Sequence, residues 1–166
     1  LDDYITQYPD VFQTSDSPTI NIYNVLHILD YHEWKIKTGR NQYKNLFKHH
    51  NRTLGTHGLH SPSYLSVKIL PPAAKEIVTQ RYLDWGEKMC TWVDSLPDDY
   101  SYRQNNTDLK NNITHYVNSY IKFINQDDLS NHLGGFWRFT NKIDEIRNEN
   151  FEQTFPDVYK LLTDYK

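Results

Sequence analysis

The stretch PAAKEIVTQRYLDWGEKMCTWVDSL, residues 72–96, decides the fold class of this chain. Its apolar side chains recur at spacings of three and four residues, which is typical of one long helix with a buried face. Two prolines introduce the stretch, and proline suits the first turn of a helix. The apolar positions of the predicted helix are Ala74, Ile77, Val78, Tyr82, Trp85, Met89, Trp92, Val93 and Leu96.

The same periodicity continues toward the C-terminus. It predicts a second helix over residues 109–124, a third over residues 133–146 and a last one over residues 156–165. Asp127 and Asp128 fall between the second and third helices, where they are candidates for helix caps. The third helix has an apolar stripe that consists of Leu133, Phe136, Phe139, Ile143 and Ile146.

The sequence before residue 71 has a different pattern. Residues 19–25, TINIYNV, alternate with β-branched side chains and predict a strand, and residues 64–70, YLSVKIL, predict a second one. A helix is expected over residues 25–36. A strand followed directly by a helix is half of a βα unit. A parallel strand needs neighbouring strands, and this sequence contains few candidates for them.

These patterns predict an α/β fold that is mostly helical. Residues 1–71 form a late segment like that of a β/α barrel, and residues 72–166 form a helical C-terminal extension. We therefore expect the end of a partial barrel. If residues 19–25 are an interior barrel strand, one line of their backbone hydrogen-bonding groups is left open at the edge.

Composition excludes several classes of protein. The net charge of -3 comes without a basic block, so we expect no nucleic-acid partner. No apolar run reaches the length of a membrane span. The start, LDDY, lacks both a Met and the pattern of a signal peptide, which favours a cytoplasmic protein and a cut inside a longer chain.

Asn21, Tyr23 and Asn24 are the candidate residues for contact with a substrate or cofactor. They interrupt the apolar pattern of the first predicted strand. On a barrel strand they would face inward or lie at its C-terminal end, where β/α-barrel enzymes place ligands. An edge strand with one face in water explains them equally well.

The metal-binding signals are slight. His57 and His60, with His49 and His50 upstream, would be able to ligate zinc if a loop brought them together. The composition of a polar loop explains them more simply, so we predict no metal site. Cys90 is the single cysteine and lies on the apolar stripe of the long helix, where a free thiol behaves as a small hydrophobe.

Asp144 and Arg147 stand three residues apart on the third helix. An exposed ion pair is one explanation. The interpretation that we favour is that they tie this helix to residues 148–155, because Phe151 and Phe155 need anchoring there. In both cases their role is structural, and the sequence shows no recognisable catalytic centre.

Three stretches resemble the C-terminal part of radical-SAM proteins that carry a short, twitch-type extension. They are NIYNV (residues 21–25), SYLSVKILP (residues 63–71) and FWRFTNKIDEIR (residues 136–147), the last continued by Phe151 and by FPD at residues 155–157. In those proteins a helix with the pattern F-x-x-x-x-D-x-x-R precedes a loop and an FPE-like end. This sequence departs from the pattern at Asn148, where Gly is common, and at Asp157, where Glu is expected.

The resemblance implies an enzyme that cleaves S-adenosylmethionine reductively with a [4Fe–4S] cluster. The cluster is held by a CxxxCxxC loop, which is absent here, and Cys90 cannot replace it. We therefore expect this chain to bind no cofactor alone and to be inactive alone. It would close the barrel and shape the substrate side of a parent enzyme, with the N-terminal remainder of that parent as its partner. The alternative is a free-standing helical module that binds another protein.

Overall fold

The computed structural model describes Gln7 and residues 18–39, 57–97 and 106–164. Within these ranges the protein is mostly helical, which confirms that part of the predicted fold class. None of the helices in these ranges combines the length and the apolar character that a membrane crossing requires.

The N-terminal part contains one small parallel sheet. Strand β1 (Thr19–Ile20) pairs with strand β2 (His57–Gly58), and Thr19 lies opposite His57. Helix α1 (Ile28–Trp34) lies between the two strands in the chain and continues into a π-helical turn, Lys35–Gly39. The order strand, helix, parallel strand is the crossover connection that a parallel pair requires.

The predicted helices of the C-terminal part are present. Helices α2 and α3 are long and pack against each other. Helices α4 to α6 follow after a short 3-10 turn. Pro72 stands at the first position of α2, as the sequence indicates. The bounds are α2 Pro72–Asp94, α3 Asn106–Asn125, α4 Leu133–Arg147, α5 Phe151–Thr154 and α6 Pro156–Asp164.

Helices α2 and α3 supply much of the hydrophobic core. The two helices approach closely at Gly86, where a Cβ atom would lie 3.1 Å from Cγ2 of Val117. Burial along α2 confirms most of the predicted stripe, although Ile77 is 38% exposed. The buried apolar side chains of the pair are Ala74, Val78, Tyr82, Trp85, Met89, Val93, Leu109, Ile113, Tyr116, Val117, Tyr120 and Ile124.

The prediction of a strand over residues 19–25 is wrong beyond Ile20. The backbone turns there because two asparagine side chains bond to the main chain. The amide N–H of Tyr23 donates to Oδ1 of Asn21 at 2.9 Å, and that of Asn21 donates to Oδ1 of Asn24 at 2.8 Å. The Asn24 side chain also donates to the Thr19 carbonyl at 2.9 Å, so this edge of β1 is partly closed within the chain.

The second predicted strand, residues 64–70, is also wrong. Two 3-10 turns, Ser63–Leu65 and Val67–Ile69, take its place. Its alternation of polar and apolar residues does not separate an exposed face from a buried one, because Ser66 and Lys68 are buried as well. The ammonium group of Lys68 is held by an ion pair of 2.7 Å with Asp127.

The described residues contain a two-stranded sheet, and a partial barrel is not confirmed. The hydrophobic core includes side chains from both sides of residue 71, from Ile20 to Leu162. The division at this point stays a prediction. The stripe predicted for α4 holds at Phe136, which is fully buried, and fails at Ile146, which is 70% exposed.

Candidate substrate groove

A groove opens between the turn that follows β1 and the corner formed by α4 and α5. Its volume is about 410 Å³, at the lower end of the roughly 300–1,000 Å³ of small-molecule pockets. The turn contributes Asn21, Tyr23 and Asn24 to the lining, so the structure brings the three candidate residues together. The remaining lining residues come from α4, α5 and the segments next to them.

Asn21 and Asn24 have a structural role at the edge of the groove. Their side-chain oxygens accept the backbone N–H bonds that form the turn, and the Asn24 amide group donates to Thr19. The Asn21 amide group makes only a long contact of 3.5 Å with the same carbonyl. Most of the polar capacity of this pair is therefore used to fold the turn, and the Asn21 amide nitrogen is the group most available to a ligand.

Tyr23 joins the turn to the C-terminal helices. Its hydroxyl group lies 2.7 Å from Oγ1 of Thr140 on α4. Its ring packs against Phe136, Phe151 and Phe155, with ring centroids 5.4 to 5.8 Å apart. Burial raises the pKa of the Tyr23 hydroxyl above its usual value, the bond with Thr140 opposes that shift, and the charge of Asp144 adds to it.

Asp144 anchors the segment that follows α4, as the sequence predicts. Its Oδ2 atom accepts the backbone N–H of Phe151 at 2.8 Å, at the start of α5. Arg147 does not take part in this bond, and its guanidinium group lies 4.0 Å from the carboxylate of Glu149. Asn148, the residue that follows α4, has a left-handed backbone with φ 51° and ψ 45°. Asparagine tolerates this conformation better than most residues other than glycine.

Sequence reasoning missed Thr140, which is 2% exposed and bonded to Tyr23. A signal for it was present, since Thr140 lies one helical turn from both Phe136 and Asp144 and therefore shares their face of α4.

His57 and His60 lie outside the groove. His57 is exposed on β2, and the ring of His60 packs on Phe123 with centroids 5.1 Å apart. In the part of the chain that the structure describes, no three His, Cys, Asp or Glu side chains are grouped as a metal ion requires. His49 and His50 lie outside the described residues.

The cluster that the resemblance implies does not fit the residues of this chain. Cys90 is its single thiol and is partly buried on α2, packed against the hydrophobic core. A [4Fe–4S] cluster needs several cysteine ligands. This chain alone therefore cannot supply the ligands of such a cluster.

Comparison of the chain with family models, with curated proteins and with solved structures gave no match.

Proposed function

We propose that this chain is the C-terminal part of a radical-SAM-like enzyme of the twitch type, where it shapes the substrate side and is inactive alone. The observation that carries the proposal is the groove. Two of the stretches that resemble the family, residues 21–25 and residues 136–147, are distant in sequence, and both line it. Residues that meet across such a distance at one cavity are a common arrangement for binding sites.

Two local features support the proposal. Asn148, which stands where the family commonly has Gly, has the left-handed backbone that Gly adopts without strain. The βαβ crossover of β1, α1 and β2 is the unit from which β/α barrels are built. The crossover agrees with a piece of a larger barrel, and the backbone of Asn148 agrees with the family pattern.

The alternative, a helical protein-binding module, has less support. Among the described residues, its side chains for a partner would be the exposed large apolar ones, which are Trp34, Ile77, Leu83 and Ile146. They lie on three different helices, and Ile77 and Leu83 are six residues apart on α2, a spacing that places them on different faces. They do not define one docking surface.

The test begins with the reading frame upstream of Leu1. We expect it to encode a CxxxCxxC loop, and we expect the protein encoded by the whole frame to cleave S-adenosylmethionine after anaerobic reconstitution with iron and sulfide and chemical reduction. The 166-residue chain, treated identically, is the control and should show no cleavage, because one thiol cannot hold the cluster. A frame without these cysteines, or cleavage by the 166-residue chain alone, would refute the proposal.

A further inference from the structure

The charges of the groove do not balance. Among the described residues, three charged side chains line it, and two of them, Arg147 and Glu149, lie 4.0 Å apart and offset each other. The third, Asp144, accepts one backbone N–H and has no cationic side chain within 4.0 Å among the described residues. The groove therefore has an excess of one negative charge, at a half-buried carboxylate.

The wall beside this carboxylate is aromatic. Tyr23, Phe139 and Phe155 line the groove, and each ring is only partly buried. The face of an aromatic ring carries partial negative charge and attracts ammonium and guanidinium groups. A carboxylate next to exposed ring surface is thus complementary to an organic cation with an apolar body.

The pKa of the Tyr23 hydroxyl also reflects the negative charge of the groove. After burial and the bond with Thr140, the next influence on the pKa of its hydroxyl is the charge of Asp144, which raises it. Arg147 lowers this pKa and has the smaller effect. The negative charge of Asp144 therefore outweighs the positive charge of Arg147 at the Tyr23 hydroxyl.

We propose that the groove binds an organic cation, in which an ammonium or guanidinium group approaches Asp144 and an apolar body lies against Tyr23, Phe139 and Phe155. A lysine or arginine side chain of a polypeptide and a free amine share this chemistry. The inference deepens the proposed function and rests on it for one statement, that the bound cation is part of the substrate of the parent enzyme.

The test is a titration of the ¹⁵N-labelled 166-residue chain with phenethylammonium, followed through the backbone amide signals of Tyr23, Thr140 and Phe151. The neutral and anionic controls are 2-phenylethanol and phenylacetate. We expect the cation to bind about tenfold more tightly than either control, and its affinity to fall as salt is added. Equal binding of the three compounds, preferred binding of phenylacetate or no binding of the cation would overturn the inference.

Two variants test whether the negative charge of Asp144, and not the shape of its side chain, determines the affinity for the cation. Asp144→Asn keeps an oxygen that can accept the Phe151 N–H and removes the charge, so it should weaken binding of the cation by about tenfold. The matched control is Asp157→Asn, an exposed carboxylate outside the groove, which should leave the affinity unchanged. Equal affinities in the two variants would contradict the role of Asp144.

If Asp144→Asn does not fold, Phe139→Leu takes its place, since it removes a ring and keeps an apolar side chain. It should weaken binding of phenethylammonium severalfold, and an unchanged affinity would contradict the aromatic wall. Titration with cadaverine and with N-acetyl-lysine methylamide then identifies the source of the cation. Binding of the blocked lysine indicates a polypeptide, and binding of cadaverine alone indicates a free amine.

The two proposals can fail separately. The titration uses the 166-residue chain and needs neither iron nor S-adenosylmethionine. If the cation does not bind but the longer protein cleaves S-adenosylmethionine, only the proposed ligand of the groove is wrong. If the cation binds but the longer protein does not cleave S-adenosylmethionine, the radical-SAM assignment is wrong and the cation site in the groove is still supported.

Discussion

At the scale of single residues, Tyr82 links the long helix α2 to the start of the chain. Its side chain is fully buried, and its hydroxyl donates to the carbonyl of Val25 at 3.0 Å. Burial raises its pKa well above the usual value of 10.0, and the neighbouring Tyr116 adds to the effect. Above that usual value the unfolded chain loses the proton and the folded protein keeps it, so the folded protein loses stability as pH rises.

Tyr82→Phe tests this linkage. At pH 8 the variant should be less stable by about 1–3 kcal/mol, because a buried carbonyl loses its donor. Between about pH 10 and pH 12 its stability should fall less steeply than that of the natural protein, since one buried hydroxyl no longer has to stay protonated. Urea unfolding at a series of pH values measures both effects. Equal slopes for the two proteins above pH 10 would contradict the assignment.

What the sequence predicts about single residues depends on how local the interaction is. The anchoring role of Asp144 is predictable, because Asp144 lies in the last turn of a predicted helix and Phe151 lies seven residues later, in the segment that follows that helix. The role of Asn21 and Asn24 is not, because an asparagine on a strand and one that forms a turn look alike in an alternating sequence. The burial of Lys68 is likewise not predictable from the alternating pattern, because it depends on an ion pair with the distant Asp127.

At the scale of elements, the helices are more predictable than the strands. A stripe such as that of α2 repeats over six turns, whereas β1 and β2 have two residues each and depend on each other across a long connection. The expected open edge of the first strand is also not observed at residues 21–23. The N–H of Ile22 donates to Leu65 at 3.0 Å, and those of Asn21 and Tyr23 bond to side chains of the turn.

The packing of β2 on α3 gives a prediction for this scale. A Cβ atom at Gly58 would overlap the ring of Phe123, which also contacts His60 and the ammonium group of Lys68. Gly58→Ala should therefore destabilise the protein by about 1–3 kcal/mol, the usual cost of overpacking. Thermal or denaturant unfolding measures the change.

The control for Gly58→Ala is Gly134→Ala. Gly134 lies in the first turn of α4, and a Cβ atom there would have only an ordinary contact, 3.7 Å from the Arg138 side chain. This variant should be neutral or more stable by about 0.5–1 kcal/mol, because alanine favours the helix. If the two variants change the stability by the same amount, β2 does not approach α3 as closely as described.

At the scale of the whole molecule, the groove depends on contacts that no sequence window contains. The candidates Asn21, Tyr23 and Asn24 interrupt the apolar pattern of a predicted strand, and they line the groove from a turn instead. Their position is set by Tyr23, which packs on Phe136 and bonds to Thr140 more than a hundred residues away. Sequence periodicity predicts the helix that carries Phe136 and Thr140. It does not predict that this helix contacts Tyr23.

Photo-cross-linking in the proposed longer protein tests most directly whether the groove is the substrate side of a radical-SAM-like enzyme. A p-benzoylphenylalanine at position 154 replaces Thr154, an exposed residue of the groove, and one at position 91 replaces Thr91, an exposed residue of α2 outside it. We predict cross-links from position 154 to the segment that carries the cluster cysteines, and none from position 91. Absence of cross-links from position 154, or the same products from both positions, would contradict the proposed placement of the groove.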